Sequence, residues 1–171
     1  MSKRLLTLFT MVLVLGVFSV AQAQQPTASD GSTLVLTEEQ INDEFRIPST
    51  PTRRISNLEV DVQEDGVHIS FDMTTIKDGT SNTVNIIAVL IGLYQPERQQ
   101  MMWSFADLLV TSVRATGTQR RELMNLIGGA WRNYLADVAD VNVRSLNFTK
   151  ITFSALDLTL EVETFEAESV G

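Results

Sequence analysis

His68 is the only histidine of the chain, and there is no cysteine. A Ser-His-Asp relay or a histidine metal centre would have to be assembled around that one imidazole, and thiolate chemistry is excluded outright. Val67, Ile69, Phe71 and Met73 alternate with His68, Ser70 and Asp72, which puts His68 on the polar face of a strand. The other reactive residues are carboxylates. Glu59 and Asp72 face each other if the flanking strands close on Asp65-Gly66, and two carboxylates at a suitable separation suffice for acid–base hydrolysis. A solvated sheet face produces the same pairing, and no further residue converges on it. Glu64-Asp65-Gly66 and Lys77-Asp78-Gly79 lack the spaced oxygen ligands of a calcium loop and read as turns. Neither a glycine-rich phosphate loop nor a nucleophile elbow occurs. The expectation is a protein that is not an enzyme and uses no cofactor or metal.

The informative residues are apolar. Val84, Ile86, Ile87, Ala88, Val89, Leu90, Ile91 and Leu93 form a run that is apolar on both faces of a strand and too short for a helical membrane span. Such a strand needs both faces covered, or one face turned to something other than water. Ile87, Val89, Ile91 and Leu93, together with Met102, Trp103, Phe105, Trp131 and Tyr134, are the candidate lining of an apolar ligand site. Aromatic walls with adaptable methionines suit that purpose.

The elements that must position them can be read from periodicity. From Thr118 to Val138 the apolar residues Leu123, Leu126, Ile127, Ala130, Trp131, Tyr134, Leu135 and Val138 recur at helical spacing, drawing one stripe that needs a sheet laid against it. Gly128-Gly129 inside this helix predicts a close approach of its backbone to the sheet, or a kink. Trp103, Phe105, Leu109, Thr111 and Val113 sit at even spacing, so Met101–Val113 reads as strand. Leu58, Val60 and Val62 are expected to pair with Met73, Phe71 and Ile69 across the Asp65-Gly66 turn. Residues 76–82 read as a turn region. Residues 142–163 predict two strands, with a bulge near Thr149-Lys150 where the alternation changes phase. Near the N-terminus, a short strand (33–36) precedes Thr37-Glu38-Glu39-Gln40, a capping box opening a short helix that carries Ile41 and Phe45 and ends before Pro48.

Residues 1–23 have the basic start, apolar stretch and Ala21-Gln22-Ala23 site of a signal peptide, which predicts cleavage after Ala23 and export to the periplasm or beyond the cell. A flexible lead-in (24–32), one α+β domain (33–163) and an acidic tail (164–171) follow. Without disulfides, that domain must be held by its core alone. The formal charge of −8 argues against nucleic acid and anionic membrane surfaces as partners, but not against an apolar ligand. The fold class expected is a largely antiparallel curved sheet wrapped around the long helix in the C-terminal half.

The helix start Leu36-Thr37-Glu38-Glu39-Gln40-Ile41-Asn42 is followed by the hairpin strand Ile55-Ser56-Asn57-Leu58-Glu59-Val60-Asp61-Val62. A later strand, a tight turn, an amphipathic helix and a terminal hairpin complete an order that resembles small bacterial extracytoplasmic proteins, distantly like the tubular lipid-binding superfamily. The resemblance implies a curled sheet around a helix with a groove for an acyl chain, and carries over no individual site residue. The function expected is therefore an exported binding domain for a lipid-like ligand. The alternative is a cell-envelope interaction module that buries its apolar face against a partner or in a homodimer.

Overall fold

The computed structural model describes residues 32–164; residues 1–31, on which the signal-peptide expectation falls, and residues 165–171 lie outside the described residues. The described chain is α+β, with eight strands in one antiparallel sheet and two helices. β1 (Ser32–Thr37) runs directly into α1 (Glu38–Glu44), whose first turn is closed by the expected capping box. The Gln40 N–H donates to Thr37 Oγ1 at 3.2 Å and the Thr37 N–H donates to Gln40 Oε1 at 3.1 Å. β2 (Arg53–Gln63), β3 (Gly66–Lys77), β4 (Thr80–Gln95) and β5 (Gln100–Val110) follow as a meander, with the two-residue β6 (Val113–Arg114) folded back on β5. α2 (Gly117–Val138) precedes the terminal hairpin of β7 (Leu146–Ser154) and β8 (Asp157–Thr164). The sheet order is β1-β8-β7-β5-β4-β3-β2. Ser32 pairs with Val162 at one end of the described chain, and Thr164 of β8 pairs with Leu146 at the other.

The β2–β3 hairpin departs from its expected register. Its loop is Glu64-Asp65, and Gly66 already pairs with Gln63, so Val62 faces Val67 and Val60 faces Ile69. Gly66 is needed one position later than the turn would require it. Its φ is +151°, and a Cβ there would stand 2.5 Å from the Leu90 carbonyl oxygen of β4. The register is then corrected by a bulge at Asn57, which adopts a left-handed φ of 52° and leaves Ile55, not Leu58, opposite Met73. Glu59 consequently faces Ser70, and the like-charge pair with Asp72 never forms. Asp72 instead accepts hydrogen bonds from Asn57 Nδ2 at 2.8 Å and Asn85 Nδ2 at 3.1 Å, which hold its carboxyl below the usual range.

Residues 76–82 are not a broad turn. β3 and β4 run up to Asp78-Gly79, whose φ values of 50° and 76° make a tight two-residue connection. In β5 the even spacing fails beyond Phe105. Phe105 pairs with Leu90 but Asp107 pairs with Val89, so Ala106 is an extra residue that shifts the phase. Leu108 (0 % exposed) rather than Leu109 then faces the core, and Thr111-Ser112, both at positive φ, form the turn into an exposed Val113. The bulge expected in β7 is present, between Phe148 and Lys150.

β2 ends the sheet order, leaving its outer edge without a neighbouring strand. α1 supplies the missing partners: Asn42 Oδ1 accepts from the Val60 N–H at 2.8 Å, and Asn42 Nδ2 donates to the Val60 carbonyl at 2.6 Å. Glu38 Oε2 accepts from the Val62 N–H at 2.9 Å, while the Leu156 N–H of the β7–β8 turn donates to the Val62 carbonyl at 3.2 Å. One helix thus bridges the first strand of the sheet order to the last, and covers a template for edge pairing.

Candidate functional site

Along β4 the burial alternates. Ile86, Ala88 and Leu90 are fully buried on the face that meets Phe71 of β3 and Leu108 of β5. Ile87, Val89 and Ile91 lie on the opposite face, half-buried, and Leu93 is 47 % exposed. The two-sided apolar strand therefore has one face in the core and the other partly open. The nine residues expected to line one site separate accordingly.

Met102, Trp103, Phe105 and Trp131 come together. They line a cavity of about 300 Å³ between β5, α2 and the start of β7, whose walls are completed by Leu90, Met101, Leu146 and Phe148. The two indoles meet edge to face with centroids 5.4 Å apart, and Trp103 packs likewise on Phe148 and Phe153 at 6.4 and 5.9 Å. Gly128 contributes as its position in the helix predicted. A Cβ there would lie 3.5 Å from the Phe105 ring, so helix and β5 are already in contact, and α2 runs through both glycines unbroken. At the neighbouring Gly92, which pairs with Trp103, an added Cβ would stand 3.0 Å from Ile151. β7 closes over β4 there because no side chain intervenes.

Tyr134 sits one helical turn beyond the cavity. It packs on Phe45 and Trp131, both at 5.7 Å, and lines a different, more open depression of about 420 Å³ beside Glu44 and Arg46. A third depression, of about 500 Å³ at the β2–β3 turn, is wider still and contains no aromatic residue. Burial, with the Glu44 charge adding to it, pushes the Tyr134 phenol far above its ordinary value. Ile87, Val89, Ile91 and Leu93 line none of these spaces.

The rim of the 300 Å³ cavity is polar, and no periodicity pointed to it. Arg98 from the β4–β5 turn, Gln100, Arg132 and Asn147 all border the space. Arg132 directly follows Trp131 on the helix, while Arg98 sits in a turn. Only the fold brings the two guanidinium groups to one opening. Among the described residues, neither arginine has an acidic partner within 4.0 Å. The indole Nε1 atoms of Trp103 and Trp131 are both buried and have no hydrogen-bond acceptor among the described residues.

His68 is on the outer face, with Nε2 3.0 Å from Asp65 Oδ1, and no group of three or more potential metal ligands clusters among the described residues. The chain matches no family model and no curated protein sequence.

Proposed function

We propose that this protein is an exported, non-enzymatic binding domain that takes up a hydrophobic, lipid-like ligand between α2 and the β5–β7 part of the sheet. The cavity at Trp103 and Trp131 carries the proposal: aromatic, leucine and methionine side chains line it in a protein that closes the β2 edge of its sheet with side-chain partners. At about 300 Å³ it lies at the small end of the roughly 300–1,000 Å³ typical of ligand pockets, which suits one chain rather than two. In this reading the sheet curls around α2, with α1 joining its two ends, as the resemblance to the tubular lipid-binding superfamily implies. Export follows from the signal-peptide pattern of residues 1–23.

Both tryptophans of the chain line the cavity, so their emission reports on its contents directly. Titration with the neutral apolar probe N-phenyl-1-naphthylamine should give saturable uptake with energy transfer from tryptophan, reversed by decanol. Absence of saturable uptake, together with native mass spectra free of bound small molecules after gentle purification, would sink the reading.

One observation favours a second reading. Ile87, Val89, Ile91 and Leu93 leave an apolar row partly open on the face of β4 remote from α2. An interaction module would bury that row against an envelope partner or a second copy. Sedimentation velocity across a wide concentration range distinguishes the two, since only this second reading predicts a dimer abolished by Ile91→Lys.

A further inference from the structure

We infer that the cavity selects an amphiphile with one apolar chain and an anionic, oxygen-bearing head group, held at the rim by Arg98 and Arg132. The inference rests on the binding reading above and adds the chemistry of the ligand's polar end. Three observations converge on it. The lining of the cavity includes Arg98, Gln100, Arg132 and Asn147, and among the described residues the two arginines have no acidic partner within 4.0 Å, in a chain whose net charge is −8. In so acidic a protein, two cations left unpaired at one opening supply a local field that favours an anion over a neutral or cationic guest. Guanidinium also offers a planar fork of donors that matches a carboxylate or phosphate.

The third observation is the pair of indole N–H groups. Trp131 is 0 % exposed, and its Nε1, like that of Trp103, is buried without an acceptor. Buried indoles ordinarily find a partner, and both of these belong to side chains that line the cavity, so an oxygen-bearing guest matches it better than a hydrocarbon. A purely hydrocarbon guest would leave all these donors unanswered. Oxygen is needed for the indoles, and negative charge for the arginines.

The test compares decanoate, monodecyl phosphate, decanol and decyltrimethylammonium by isothermal titration calorimetry, with displacement of the neutral fluorescent probe as a second readout. The expected result is tighter binding of at least one of the two anions than of decanol, by about tenfold, from charge-assisted hydrogen bonds. The cation should bind more weakly than decanol. Which anion wins tells a carboxylate from a phosphate head. Arg98→Gln with Arg132→Gln should remove the advantage of the anion over decanol. Both side chains are exposed, so decanol binding also shows that the variant is folded. Equal binding of anion, alcohol and cation, or an anion preference that survives both substitutions, would overturn the head-group inference while leaving the apolar site intact. Failure of decanol and the neutral probe to bind at all would instead overturn the binding reading itself.

Discussion

The backbone edge of β2 and the indoles at the β5–α2 cavity differ in how their polar groups are met. At the β2 edge, the N–H and carbonyl of Val60 and of Val62 each meet a partner drawn from α1 or the β7–β8 turn, at distances of 2.6–3.2 Å. At the β5–α2 cavity, two indole N–H groups have none. Leaving a buried donor unpaired costs about 1–3 kcal/mol, so the contrast is energetically significant. The backbone edge of β2 is thus closed, whereas the two indole donors at the cavity are met by nothing among the described residues. Structural demands explain the first, and the proposed ligand would explain the second.

Trp131 touches both regions, since it packs on Phe45 just after α1 at 5.3 Å and on Trp103 in the cavity at 5.4 Å. Trp131→Ala should therefore be the most damaging single change, destabilising the fold by about 3–5 kcal/mol in urea unfolding. Asn42→Ala strips the β2 edge alone. It leaves the Val60 N–H and carbonyl unanswered and should cost about 2 kcal/mol, without changing uptake of the neutral probe. If Asn42→Ala proves neutral, the edge is not held as described and the contrast collapses.

Tyr134 provides a pH test. Its folded pKa is raised above the ordinary value of 10.0, so the phenol's contribution is complete below that pH. Above it the unfolded chain ionises and the folded one does not, and stability falls as the pH rises. Tyr134→Phe should shift the alkaline unfolding midpoint upward, and an unchanged midpoint would remove the phenol as its cause. At the cavity, Trp103→Phe deletes an orphan donor and should change stability by less than about 1 kcal/mol while weakening anion binding. A loss of stability as large as that of Asn42→Ala would mean that the indole is structurally satisfied after all. The smallest effect concerns Asp72, whose carboxyl is held below its usual 3.8 by Asn57 and Asn85. Its contribution is present above that value and lost as pH falls through the lower folded value, so Asp72→Asn should slightly flatten the acid limb of a stability–pH profile.

Much of the fold could be read from the chain because it rests on local rules. The capping box at Thr37 and Gln40, the stripe of α2, the terminal hairpin and the β7 bulge follow from side-chain types at short spacing. Register was harder. Asp65-Gly66 offered a turn in the right place, but the glycine is required by the passing carbonyl of Leu90, some 24 residues away in sequence, and the loop closed one residue earlier. The β5 bulge at Ala106 escaped for a related reason: Trp103, Phe105, Leu109 and Thr111 satisfy alternation on paper, and only pairing against Val89 and Leu90 reveals the extra residue.

The candidate site divides along the same line. Met102, Trp103, Phe105 and Trp131 were recognisable because large aromatic and sulfur-bearing side chains line apolar sites wherever they converge. The sequence by itself determined the absence of thiol chemistry, a lone histidine on a polar face, and more apolar surface than one helix stripe would cover. Tertiary structure alone decided which face of β4 turns inward, how α1 closes the β2 edge, and that Arg98 and Arg132 reach the same opening. The physical reason is that period and propensity act over a few residues, whereas the convergence of a turn, a helix flank and a strand end is fixed only when the chain has packed.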